Sequence, residues 1–133
     1  MVIDFHHHFT PLELVTRSGI KPGENKVLMQ GGVPKFTIHE RLYNMDMQLK
    51  DMAVAGVDLS VLTCNLGWDG SIEDCRLIND KAAELQQADP KHFAGLAHGP
   101  VLEAAGLDEM KRGVKQGLRG VTISSQVNGL PLD

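Results

Sequence analysis

The densest cluster of metal-ligand side chains lies near the start of the chain, in the run Asp4-Phe5-His6-His7-His8. The apolar residues around Asp4 predict a buried strand, and the side chains of a strand alternate between its two faces. His6 and His8 therefore point to one side, about 7 Å apart along the strand, and His7 points to the other. If the strand end curls, both imidazoles can bind one cation. The pattern predicts a divalent metal site, and zinc takes imidazole ligands readily.

The same residues allow other interpretations. Asp4 lies on the face of His6 and His8, one step deeper, where it is either a further ligand or a residue that orients a ligand from behind. His7, on the opposite face, is expected to be structural or to orient a ligand. Consecutive histidines also occur in expression tags and as ordinary surface or core residues, although a tag would not directly follow an apolar strand.

Three further residues are candidates for contact with a substrate. Trp68 and Asn65 lie in the loop after the second predicted strand, where the indole could stack on a planar substrate and the amide could donate hydrogen bonds. The alternatives are a loop anchor for Trp68 and a turn residue for Asn65. His98 follows the third predicted strand and either reaches the mouth of the site or is a loop or core histidine.

The elements that must position these residues alternate between strand and helix. Short apolar runs predict strands, and apolar residues spaced by three and four predict helices with one buried face. The first strand is followed by the segment 10–36, which is rich in glycine and proline and is expected to be a long irregular loop. The predicted strands are 2–5, 57–63, 93–97 and 118–123, and the helical stripes cover 42–52, 72–85 and 107–114.

Several helix ends are marked by capping residues. Ser71 is a candidate N-cap, with Asp74 three positions later in a variant of the capping box. Gly56 and Gly117 are expected to end two helices, and Asp89-Pro90 ends the helix between them. Strand–helix alternation of this kind implies a parallel sheet with right-handed crossover connections. The predicted fold class is therefore α/β.

The composition limits the classes of protein to which the chain can belong. Its 133 residues, 42% hydrophobic and 23% charged, predict one globular domain or part of one. A net charge of −4 argues against a nucleic-acid surface, and no apolar run is long enough to span a membrane. The N-terminus lacks the basic segment of a secretory signal. Two separate cysteines, Cys64 and Cys75, suggest neither disulfides nor a zinc knuckle, so the cytoplasm is the expected compartment.

The residues 3–11 resemble the opening of the amidohydrolase-related superfamily. The most similar branch contains aminocarboxymuconate-semialdehyde decarboxylase and the resorcylate decarboxylases. That branch begins with a strand carrying His-x-His and a proline three positions later, which is Pro11 in this chain. The resemblance continues in order along the sequence and covers essentially all of it, through the segments 52–58, 93–102, 117–123 and 128–133.

The resemblance implies a metal-dependent (β/α)8 barrel of which residues 1–133 form the N-terminal part, from the first to the fourth strand. Such barrels carry their chemistry at the C-terminal ends of the strands, where His6 and His8 lie. The family's other ligands, a histidine on the fifth strand and an aspartate on the eighth, have no counterpart here, because a full barrel needs about 250 residues. The general acid–base is likewise expected from the missing half.

Two functions follow as hypotheses. The first is a metal-dependent hydrolase or non-oxidative decarboxylase that acts on a small carboxylate, with zinc as the expected metal. The second is a non-catalytic half-barrel that assembles through its open sheet edges, since unpaired edges and exposed apolar surface favour association. The chain is accordingly expected to be part of a longer protein, to pair with a second copy or a complementing half, or to form a rearranged open sheet.

Overall fold

The structure of the chain is a computed structural model, which describes residues 1–64, 71–127 and 130–131. The predicted substrate contacts Asn65 and Trp68 lie outside the described residues. The strands are β1 (Ile3–His8), β2 (Lys26–Gln30), β3 (Val33–Ile38), β4 (Leu59–Thr63), β5 (Phe93–Ala97), β6 (Gly120–Val121), β7 (Gln126–Val127) and β8 (Leu130–Pro131). The helices are α1 (Leu12–Arg17), α2 (Met45–Ala55), α3 (Ile72–Ala88) and α4 (Ala104–Lys115), with a 3₁₀ turn at Glu40–Leu42.

The central sheet has four strands in the order β1-β4-β5-β6, and each pairs in parallel with its neighbour. Helix α2 crosses from β1 to β4, α3 from β4 to β5, and α4 from β5 to β6. Each crossover thus adds the next strand on the same side of the sheet, which is how a closed barrel of β/α units begins. The predicted α/β class with parallel units is confirmed. In the described sheet, β1 and β6 are the two edges.

The main core lies between this sheet and its helices. Leu62 and Phe93 come from the strands, and Ile78 and Ala82 come from one face of α3, all of them buried. Full burial of a large aliphatic or aromatic side chain stabilises the fold by about 1.5–3 kcal/mol. Cys64, at the exit of β4, is fully buried.

The prediction of one long irregular loop over 10–36 is wrong. This segment contains α1 and β2, and β2 pairs antiparallel with β3 in a hairpin. Gly31 and Gly32 form the tight turn with φ of 59° and 80°, positive values that glycine adopts without strain. The apolar residues of these short elements form a small core of their own around Val15, Ile20 and Ile38. The glycines that appeared to break regular structure are the turn residues of short elements.

The predicted helix ends are observed. The Oγ of Ser71 accepts a hydrogen bond from the Asp74 amide at 3.2 Å, Gly56 caps α2 in the left-handed conformation, and α3 ends at Ala88. The fourth predicted strand is shorter than expected: only Gly120–Val121 pairs as a strand with β5, and Leu118 before it is buried in the core. None of the described helices is both long and apolar enough to cross a lipid bilayer.

Candidate metal centre

The end of β1 is distorted, and two of its histidines lie close together. Pairing with β4 is regular at Asp4 and again at His7, but the register shifts between them. Alternate side chains of a regular strand are about 7 Å apart, whereas the Nε2 atoms of His6 and His8 are 2.8 Å apart and their ring centroids 4.6 Å. The two imidazoles therefore converge, which is the arrangement that a shared cation requires.

The separation of the two nitrogens is slightly shorter than that of two ligands on one divalent cation. Tetrahedral zinc with Zn–N bonds of about 2.0–2.1 Å places two ligand nitrogens about 3.3 Å apart, so a small rotation of either ring admits the ion. Burial lowers the pKa of His8, and the nearby His6 lowers it further, which favours the neutral ring that binds metals. Within residues 1–64, 71–127 and 130–131, no group of three or more His, Cys, Asp or Glu side chains is placed to hold a metal. His6 and His8 alone would leave the ligand set of a metal ion incomplete.

Asp4 contacts the backbone and His7 rather than the two converging rings. Its Oδ1 accepts a hydrogen bond from the His6 amide at 3.2 Å, and its Oδ2 lies 2.8 Å from His7 Nδ1. The hydrogen bond with His7 lowers the pKa of Asp4, against the opposing effect of burial. Residues three apart in a regular strand face opposite sides, so this contact exists only because β1 is distorted. The geometry favours the interpretation of Asp4 as an orienting residue over that of a ligand.

Gln48 of α2 completes this arrangement, and the sequence reasoning missed it. Its Oε1 lies 3.0 Å from His7 Nε2, and its Nε2 donates to the carbonyl oxygens of His8 at 3.3 Å and Arg41 at 2.6 Å. The side chain is only 2% exposed. The available signal was a glutamine among the apolar residues of the helical stripe 42–52, since a buried amide requires hydrogen-bond partners.

His98 lies in the core rather than at an accessible surface. It is fully buried, its Nε2 accepts from the Cys64 amide at 3.0 Å, and its Nδ1 lies 3.3 Å from the Leu96 carbonyl oxygen. Asn79 holds its backbone, accepting from the amide at 2.7 Å and donating to the carbonyl at 2.9 Å. Burial lowers the pKa of His98 to about 4, so the ring is neutral at neutral pH. This placement favours the core interpretation over a direct contact with substrate.

Three solved structures that resemble the chain are decarboxylases. The 2,6-dihydroxybenzoate decarboxylase from Rhizobium has a TM-score of 0.66 and 23% identity, covering 98% of this chain and 42% of its own. The 5-carboxyvanillate decarboxylase from Novosphingobium aromaticivorans, with manganese and 4-hydroxy-3-methoxy-5-nitrobenzoic acid, has a TM-score of 0.71 and 23% identity. The match covers 97% of this chain and 43% of the decarboxylase. The dihydroxybenzoic acid decarboxylase from Polaromonas, with manganese and 2-nitroresorcinol, has a TM-score of 0.67 and 23% identity. The match covers 93% of this chain and 39% of the decarboxylase.

These similarities concern the fold, and the chain spans about two fifths of the length of the structures it matches. They confirm the prediction that its β/α units correspond to part of a TIM-type barrel. No curated protein matches the chain. Residues 3–133, nearly the whole sequence, match the family described as amidohydrolase, so the chain belongs to the amidohydrolase family.

Proposed function

We propose that the chain contributes the metal-binding first strand of a metal-dependent hydrolase or non-oxidative decarboxylase that acts on a small carboxylate. The observation that carries the proposal is the convergence of His6 and His8, with Nε2 atoms 2.8 Å apart, at the C-terminal end of a parallel strand. That end of the strands is where barrels of this type carry their chemistry. Membership of the amidohydrolase family and the similarity to decarboxylase structures support it.

The metal of this proposal is a divalent cation, with zinc as first choice and the manganese of two similar structures as the alternative. When bound, it would lower the pKa of a water ligand to about 7 and polarise a substrate oxygen. His6 and His8 would hold it, while Asp4 orients the strand end. Trp68 and Asn65 are the proposed substrate contacts, and the general acid–base would come from outside this chain. The proposed compartment is the cytoplasm.

Metal titration tests this proposal directly. Isothermal titration of the chain with ZnCl2, and separately with MnCl2, should give one site, and the double variant His6→Ala/His8→Ala should lose it. The matched control is His92→Ala, because His92 is exposed at the start of β5 and distant in sequence from β1. Equal, weak binding by the wild type and the double variant would remove the metal site, and with it the enzymatic proposal.

An apolar face at one edge of the sheet favours a second candidate function, assembly of two half-barrels. We propose a second copy of this chain as the partner. The face is an open, mainly apolar hollow of about 620 Å³. At the opposite edge, Ile3 and Phe5 of β1 are 47% and 73% exposed. In a symmetric pair, β6 of each copy would lie beside β1 of the other, and both apolar edges would be covered. The apolar residues of the face are Val101, Leu107, Met110, Val114, Val121 and Ile123, and Lys111 and Lys115 also line it.

A further inference from the structure

We propose that Gln48 is a positioning residue for the histidine pair: its amide holds the distorted end of β1 in the conformation in which His6 and His8 converge. The inference rests on the proposed metal site and adds to it a residue of α2, 40 positions away in sequence from His8. Its basis is a set of hydrogen bonds that tie His6, His7 and His8 to this buried side chain or to Asp4.

The end of β1 needs such support because its own pairing is interrupted. β4 pairs with Asp4 and with His7, but the register shift leaves the two residues between them out of the regular ladder. β1 is also an edge of the described sheet, and Phe5 within the shift is 73% exposed, so apolar packing holds this point weakly. A distorted edge strand without side-chain contacts would be free to return to regular pairing, in which alternate residues are about 7 Å apart.

The hydrogen bonds of Gln48 fix the orientation of its amide. Its Nε2 donates to two carbonyl oxygens, those of His8 and Arg41, so the nitrogen cannot exchange places with Oε1 without losing both bonds. Oε1 can only accept, and the Nε2 of His7 therefore donates to it at 3.0 Å. The other ring nitrogen of His7, Nδ1, lies 2.8 Å from Oδ2 of Asp4, so the ring is held between two acceptor oxygens, and Oδ1 of Asp4 accepts from the amide of His6. The chain of contacts runs from α2 to the backbone of both converging histidines.

Helix α2 is a rigid base for this function. Asn44 caps its first turn by accepting a hydrogen bond from the Met47 amide at 3.2 Å, immediately before Gln48. Met52, one turn further on, is 4% exposed and packs in the main core. Gln48 itself is 2% exposed, so its three contacts are shielded from competing water.

The test compares two buried glutamines. Gln48→Met keeps the length of the side chain and removes all three hydrogen bonds. Gln86→Met is the matched control, because Gln86 is 8% exposed and also bridges two backbone groups, the Gly95 amide at 2.9 Å and the Gly117 carbonyl at 2.8 Å, away from β1. With competition against a chromophoric chelator, Gln48→Met should weaken Zn²⁺ binding by about 10-fold or more, the range for residues that orient ligands. Gln86→Met should leave it within about twofold of wild type.

A second measurement on the metal-free chain separates this inference from the metal site itself. The wild type should show a nuclear Overhauser contact between the ring protons of His6 and His8, and Gln48→Met should lose it. If the wild type binds no zinc, but the contact is present in the wild type and absent in Gln48→Met, the metal proposal fails and the positioning role stands. A folded Gln48→Met with wild-type zinc affinity and an intact contact would overturn the role.

A second variant covers the case in which Gln48→Met does not fold. Gln48→Glu keeps the acceptor for His7 and loses both donors, so it should also weaken zinc binding. Unchanged zinc affinity in Gln48→Glu would again overturn the role.

Discussion

At the scale of single residues, the chain uses histidine in two opposite ways. His6 and His8 share an accessible strand end, and each ring turns its Nε2 towards the other. His98 is fully buried, and its ring nitrogens lie against backbone groups of Cys64 and Leu96. In the first arrangement the two ring nitrogens contact each other at a strand end, whereas in the second both ring nitrogens contact backbone groups and join the exits of β4 and β5. The difference follows from depth and from backbone partners, not from residue type.

His98 makes the folded chain sensitive to acid. Burial lowers its pKa from 6.5 to about 4, so between these values the unfolded state binds more protons than the folded state. The free energy of unfolding should therefore fall by about 3 kcal/mol as the pH falls from about 6.5 to about 4. Urea unfolding of His98→Gln at several pH values should show a flatter curve over this window, with lower stability at neutral pH.

The control for this experiment is His92→Gln, which makes the same change at an exposed histidine whose ring contacts the Asp89 carboxylate. Its pH dependence over the window should stay close to that of the wild type. Parallel curves for the wild type and His98→Gln would show that the buried ring does not cause the acid sensitivity.

At the scale of elements, two glycines and one buried carboxylate allow α4 to pack closely against the rest of the fold. A Cβ on Gly106 would overlap the Pro100 carbonyl, and one on Gly113 would lie 2.8 Å from Ala97 Cβ. Glu109, 3% exposed, accepts from Asn79 of α3 at 2.8 Å and forms an ion pair with Arg112. The buried charge is compensated on two sides, so the helix can lie close without leaving an unpaired group.

Gly106→Ala should destabilise the chain although it improves the helix. At a solvent-exposed position of a helix, a Gly→Ala substitution stabilises the helix by about 1 kcal/mol. At Gly106 the new methyl group meets the carbonyl of Pro100, a backbone atom that cannot move aside cheaply, and overpacking of this kind costs about 1–3 kcal/mol. Chemical denaturation should therefore show a net loss of stability. The exposed neighbour supplies the control: Ala105→Gly should lose about 1 kcal/mol from helix propensity alone. A gain of stability in Gly106→Ala would contradict the close seating of α4.

The elements also show which parts of the fold the sequence could predict. Helix ends depend on neighbours within four residues, so Ser71 and Gly56 were identifiable as caps from the sequence alone. It was also predictable that His6 and His8 point to the same side of the strand, because the alternation of side chains depends only on immediate neighbours. Their convergence was not, because it depends on a register shift against β4 and on Gln48. The β2–β3 hairpin was missed because its apolar residues pack against a separate small core and not against the sheet.

At the scale of the whole molecule, the described chain is an open sheet with apolar surface at both ends. Val121 and Ile123, beside the β6 edge, are 50% and 53% exposed, and Phe5 at the β1 edge is 73% exposed. A closed barrel has neither edge, because its first and last strands pair with each other. Unpaired backbone groups together with apolar side chains are the features of a surface that another β/α unit covers.

The proposed pairing of two copies predicts the mass of the protein in solution. At tens of micromolar, size-exclusion chromatography with light scattering should give twice the mass of one chain. Val114→Glu should shift the protein to one chain, because Val114 lies in the apolar face and pairing would withdraw the new carboxylate from water. Val54→Glu is the control: Val54 is 90% exposed on α2, outside the face, and its variant should keep the mass of the wild type. A wild type that elutes with the mass of one chain would contradict the pairing and would leave the face to a further β/α unit of the barrel.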